Sequence, residues 1–136
     1  MYLLDTNVIS EFRRPRPHGA VLAWLNSIPG GQIKISAMSV GEICTGIELT
    51  RDQDPAKAGE IEVWLETMLV DYEVLALDAP IMRLWARLMH NQSDDLYEDA
   101  LIAATALVQG LTIVTRNTRD FNGFGTEVLN PFVRQR

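Results

Sequence analysis

Met1-Tyr2-Leu3-Leu4-Asp5-Thr6-Asn7 opens the chain. An apolar run that breaks off at an acid reads as a short buried strand ending in a carboxylate, and open α/β sheets bind their ligands at the carboxyl ends of strands. Working outward from Asp5, the same kind of breakpoint recurs at Glu42, Asp99 and Asp120. The fold then turns on whether the segments between these acids alternate between strand and helix.

They do. Thr6 or Asn7 caps a helix over residues 8–12, Pro15, Pro17 and Gly19 interrupt it, and a second helix over 20–26 ends before the turn Pro29-Gly30-Gly31. Gln32 to Ser36, with Ile33 and Ile35, forms a second strand. Ser39 caps a helix in which Val40, Ile43, Cys44 and Ile47 recur at helical spacing, with Glu42 in its first turn. Pro55 opens a fourth helix carrying Ile61, Trp64, Leu65 and Met68 on one face. Residues 73–77 form a strand, and Asp78 caps a helix reaching Met89. A polar stretch over 91–98 leads to Asp99, which starts a helix of small apolar residues stopped by Gly110. Leu111 to Val114 is an apolar, β-branched strand of the type buried on both faces of a parallel sheet. A loop over 115–121 and a short strand over 127–129 complete the chain. This alternation implies a parallel α/β sandwich.

The 136 residues fit one domain, residues 1–136, with enough chain to bury a core without disulfides. The first apolar run is too short for a secretory leader, and its basic cluster, Arg13-Arg14-Pro15-Arg16, follows it rather than precedes it. No run approaches the ~20 residues of a membrane span. These features, with the single Cys44, point to a reducing cytoplasm and no membrane partner; Cys44 reads as core packing. The net charge of −6 argues against a general nucleic-acid-coating surface. It leaves a nuclease open, because ten of the twelve basic residues are arginines, suited to bidentate phosphate contacts. Arg13, Arg14, Arg116 and Arg119, with Arg16, are the candidate RNA contacts.

Each acid has a structural alternative. Asp5 could simply cap a helix, though capping does not require three polar residues in a row behind a buried strand. Glu42 in a first turn is stabilised by the helix dipole whatever its function. Asp99 could be a cap, and Asp120 could order a turn. What favours chemistry is that all four fall at or near one edge of a parallel sheet. Clustered carboxylates repel unless cations share them, and magnesium or manganese suits an all-oxygen donor set. Such ions activate water and steady a leaving oxygen in phosphodiester hydrolysis. His18 and His90 are isolated surface residues, so no zinc set is present.

The motifs Met-Tyr-Leu-Leu-Asp5-Thr6-Asn7, Ser39-Val40-Gly41-Glu42-Ile43 with Gly46, Asp99-Ala-Leu-Ile-Ala-Ala-Thr105-Ala106, and Thr115-Arg116-Asn117 leading to Asp120-Phe121 stand in order along nearly the whole chain. This pattern resembles the PIN-domain ribonucleases of the VapC type, close to their FitB-like branch. The resemblance implies a three-layer α/β/α sandwich around a mostly parallel sheet of about five strands. It also implies a catalytic quartet of Asp5, Glu42, Asp99 and Asp120, with Asp5 and Asp99 as the magnesium ligands and Glu42 and Asp120 as further candidates. Thr6, Asn7, Thr115 and Asn117 would support the site. The implied activity is metal-dependent RNA cleavage by a toxin that a small antitoxin holds inactive. The toxin would form a homodimer and reach operator DNA only through the antitoxin. One departure stands out: residues 91–97 lack the glycine and proline usual there.

Phosphoaspartate proteins also place an aspartate after the first strand. A haloacid-type phosphatase needs a second acid two residues on, where this chain has Asn7, and both that class and receiver domains need a late lysine, absent beyond Lys57. The remaining alternative is a PIN-like module that binds a partner or RNA without catalysis.

Overall fold

A computed structural model describes residues 1–135. Five strands form one all-parallel sheet: β1 (Tyr2–Leu4), β2 (Ile33–Ser36), β3 (Glu73–Leu75), β4 (Thr112–Val114) and β5 (Val128–Leu129), in the spatial order β3-β2-β1-β4-β5. Six helices join or flank them: α1 (Thr6–Glu11), α2 (Gly19–Asn26), α3 (Ala37–Gln53), α4 (Pro55–Asp71), α5 (Ala79–Met89) and α6 (Tyr97–Gln109).

Strand alternation sorts the side chains into two cores. Leu3 and Ile113 point to one face, where they meet Ala100, Ile102, Ala103 and Ala106 of α6 with Phe121 and Phe124. Their neighbours Leu4 and Val114 point to the other, against Val8, Ile9, Val21 and Trp24 of α1 and α2. Ile33 and Ile35 of β2 join that second face, and α3 and α4 add a smaller cluster of Ile47, Ala58, Ile61 and Leu65. The result is a three-layer α/β/α sandwich with five strands, as the alternation and the family resemblance imply.

The alanines of α6 let it lie close to the sheet: every residue from Ala100 to Ala106 is buried. Gly110 ends the helix with φ +69°, a left-handed turn glycine adopts without strain, and the Leu111 N–H donates to Ala106 O at 2.8 Å.

Helix starts are where the structure departs from expectation. Asp5 itself caps α1, its Oδ1 accepting from Thr6 N at 2.8 Å. Ser36, the last residue of β2, caps α3 by accepting from Met38 N, so α3 begins earlier than a Ser39 cap implies and Glu42 lies beyond the first turn. A short 3-10 turn, Asp94–Leu96, leads into α6 at Tyr97, which puts Asp99 inside the first turn rather than at the cap. Strand β3 stops at Leu75 and β5 starts at Val128, both shorter than expected. Thr118–Phe124 is a 3-10 segment rather than open loop. Cys44 is exposed, not in the core.

From β1 the chain steps to β2 and β3 on one side, then crosses back to β4 and β5 on the other. The direction of winding therefore reverses between β1 and β4. Connections leave these two strands toward opposite sides, and the crevice that opens at such a switch point is where doubly wound sheets bind ligands.

Candidate active site

Asp5 and Thr115 follow β1 and β4 at this switch point, and the two strands hold them level. Leu4 pairs with Val114, the Asp5 N–H donates to Val114 O at 2.9 Å, and the next residue on each strand faces its neighbour across the gap. The Thr115 hydroxyl, fully buried, donates to Asp5 Oδ2 at 2.8 Å. Asn7 Nδ2 donates to the same Oδ2 at 3.2 Å and to Thr115 Oγ1 at 3.2 Å. Asp5 Oδ1 is committed to the helix cap. Both oxygens of a carboxylate that is only 7% exposed are thus fixed in direction.

A second rank of polar groups holds the first. Asn117 contributes its main-chain N–H, which donates to Thr115 Oγ1 at 3.0 Å, and the Arg116 N–H donates to Asn7 Oδ1 at 3.2 Å. On the other flank, Thr6 Oγ1 donates to the buried Ser39 Oγ at 3.0 Å, tying α1 to α3.

The electrostatics show which acids share one field. Burial pushes Asp5 above the ordinary carboxylate value despite the Thr115 and Thr6 hydrogen bonds, and Asp120 and Glu98 add repulsion. Glu42 is raised to about 7, first by burial and then by the charges of Glu98, Asp5 and Asp99. Asp99 is raised to about 6 by burial, then by Asp5, Asp120 and Glu98. Asp5 and Asp99 therefore feel Asp120, and Glu42 feels Asp5 and Asp99. Asp120 is exposed and acts through its charge on Asp5 and Asp99.

Glu98 is the residue sequence reasoning passed over. Its charge reaches Asp5, Glu42 and Asp99 alike, although it is exposed and adjoins Asp99. The available signal was its place in the same first helical turn as Asp99, at the end of α6 that meets the sheet edge. The charges named as shifting these three acids are all carboxylates.

An all-oxygen donor set under uncompensated repulsion, on rigid element ends, fits a hard divalent cation. Among the described residues no three acids stand close enough to enclose an ion by themselves. That spacing suits a cation that takes one or two protein carboxylates and keeps several waters.

Beside Glu42 lies a cavity of about 220 Å³ lined by Thr6, Ser10, Arg13, Glu42 and Trp64 among others. Arg13 also lines an adjoining basic cavity of about 250 Å³ with Arg14 and Lys57. Arg116 and Arg119 are exposed on the opposite flank, beyond β4.

A family model for the PIN domain matches residues 2–125. The chain belongs to the PIN-domain family. This PIN domain is 34% identical to the toxin FitB of Neisseria gonorrhoeae, over 97% of this chain and 99% of FitB. It is 31% identical to the VapC ribonuclease Y4jK of Sinorhizobium fredii, over 97% and 98%. A solved structure of FitAB bound to an IR36 DNA fragment superposes on it with a TM-score of 0.86, at 31% identity, covering all of this chain and 99% of that one. The switch-point site thus lies on a scaffold similar to that of FitB along its whole length.

Proposed function

We propose that this PIN domain, working as one unit over residues 1–136, is a magnesium-dependent ribonuclease and the toxin of a toxin-antitoxin pair. The observation that carries the reading is the Asp5 carboxylate held by Thr115 and Asn7 at the sheet switch point, where the charges of Asp5 and Asp99 reach Glu42 and that of Asp120 reaches Asp5 and Asp99. Similarity to a VapC ribonuclease and to the FitB toxin supports the substrate class and the biological role.

Asp5 and Asp99 would hold magnesium, or manganese in its place, with Glu42 and Asp120 completing the acidic rim. The cation supplies Lewis-acid chemistry, neutralising phosphate charge and making water a better nucleophile. The chain's own residues do the rest. Thr115, Asn7 and the Thr6 N–H fix the Asp5 oxygens, so the ligand is pre-aimed. Glu42, raised by burial and by the neighbouring acids, would be the acid that exchanges a proton with the attacking water. Asn117 supports the site through its main chain, and Arg13, Arg14, Arg116 and Arg119 meet the phosphates of the RNA strand on either side.

The partner proposed for this toxin is a small cognate antitoxin acting in the cytoplasm on a toxin homodimer, and operator DNA is reached through the antitoxin. The FitAB structure on DNA supports that arrangement. The decisive experiment incubates purified protein with single-stranded and structured RNA in Mg²⁺ or Mn²⁺. Cleavage is expected, with loss in excess chelator and loss in Asp5→Asn. Equal cleavage by the variant, or activity undiminished by chelator, overturns the site. No cleavage of any RNA by folded, metal-loaded protein leaves the binding-only module as the reading.

A further inference from the structure

Three residues far apart in sequence meet on the β4 side of the site. The Arg116 guanidinium lies over the Phe132 ring, its carbon 3.9 Å from the ring centroid. His18 packs against the same ring edge-on, with centroids 5.3 Å apart. Both His18 and Arg116 are exposed, and Phe132 is half-buried against the α1–α2 core.

The position of Arg116 is informative. It lies next to an acidic centre, yet among the described residues no carboxylate pairs with its guanidinium, which is stacked on an aromatic face instead. Stacking covers a face of the guanidinium and leaves its in-plane N–H edge free, the edge that binds phosphate in bidentate fashion. His18 is set in one tautomer as well: its Nδ1 accepts from Ala20 N at 3.2 Å to cap α2, so Nε2 carries the ring proton and remains a donor. Two hydrogen bonds connect this cluster to the acids, from the Arg116 N–H to Asn7 Oδ1 and from Asn7 Nδ2 to Asp5 Oδ2.

Resting on the ribonuclease reading above, we propose that Arg116, Phe132 and His18 form a phosphate clamp for the RNA strand next to the scissile bond, with Phe132 as the positioning residue for Arg116. The clamp gives the acidic site a fixed cationic edge. It sets which phosphate sits beyond the cleaved one.

The test measures binding of a short fluorescein-labelled single-stranded RNA by fluorescence anisotropy in Mg²⁺, on protein carrying Asp5→Asn so that nothing is cut. Arg116→Gln is expected to weaken binding about three- to tenfold and to lower the slope of log affinity against log salt by about 0.7, the loss of one phosphate contact on a single strand. Phe132→Leu keeps the apolar packing and is expected to weaken binding, with Phe132→Tyr restoring it. The Arg116→Gln, Phe132→Leu double variant should be no weaker than Arg116→Gln alone, because the ring acts through the arginine. His18→Asn keeps a cap for α2, removes the imidazole donor, and should weaken binding. Arg83→Gln on α5 is the charge control and should change nothing. If all these variants bind with the affinity and salt slope of their parent, the clamp is wrong while the ribonuclease reading stands. If neither the Asp5→Asn parent nor the wild-type protein, given the same RNA in a non-cleavable 2′-O-methyl form, binds it in Mg²⁺, that reading fails and the clamp with it.

Discussion

At the scale of single residues, Asp5 resolves its two readings by doing both: one oxygen caps α1 and the other is held by Thr115 and Asn7. The Thr115 hydroxyl is the centre of that hold, donating to Asp5 while accepting from Asn7 and from Asn117 N. Thr115→Val keeps the shape and removes the hydroxyl, leaving buried polar groups without a partner. It should cost about 1–3 kcal/mol of stability, read by urea melts. Cleavage should fall about ten- to a hundredfold in single-turnover assays, as for other residues that orient a metal ligand, and Thr115→Ser should recover most of both. Wild-type rates in Thr115→Val would show that Asp5 needs no such support. Asp5, Glu42 and Asp99 were legible in sequence because each interrupts an apolar run. The Thr115 bond was not, since 110 residues separate its ends and only strand pairing brings them level. Glu98 was overlooked for a related reason: adjacent helical residues point in different directions, so sequence spacing ranks it below Asp99, and only the fold shows that its charge still reaches the site.

At the scale of elements, the strand and helix order was readable throughout, because β-branched runs, prolines and glycines mark the boundaries. What misled was a residue serving two elements at once. Ser36 ends β2 and caps α3 with no intervening loop, so the search for a cap passed to Ser39, whose hydroxyl instead accepts from Thr6. Helix α6 shows the reverse, a boundary that sequence marks plainly. Gly110 has φ +69° with open space where a Cβ would stand, so Gly110→Ala tests backbone conformation alone. It should destabilise by about 1–2 kcal/mol in urea melts, the cost of placing an L residue in the left-handed region. A neutral result would mean that the turn relaxes without strain.

At the scale of the whole molecule, the acidic site works against stability. Asp5, Glu42 and Asp99 all bind protons more tightly folded than unfolded, Glu42 moving from 4.5 to about 7 and Asp99 from 3.8 to about 6. Between those limits the folded state holds more protons, so the stability these groups contribute without metal is fully present below the ordinary carboxylate range and falls as pH rises, the Glu42 and Asp99 share being lost by about 7. Thermal melts in chelator should follow that sign. Mg²⁺ above pH 7 should restore part of the lost Tm by binding the folded form. Glu98→Gln should flatten the pH dependence, since it removes a charge common to all three acids. A metal-free Tm that rises over this window would refute the account.

The order of strands has a consequence for the timing of toxicity during synthesis. Asp5 leaves the ribosome 110 residues before its partner Thr115 and the neighbouring strand β4. A nascent chain therefore carries half a site while those 110 residues are added. The hazard begins only when β4 pairs with β1.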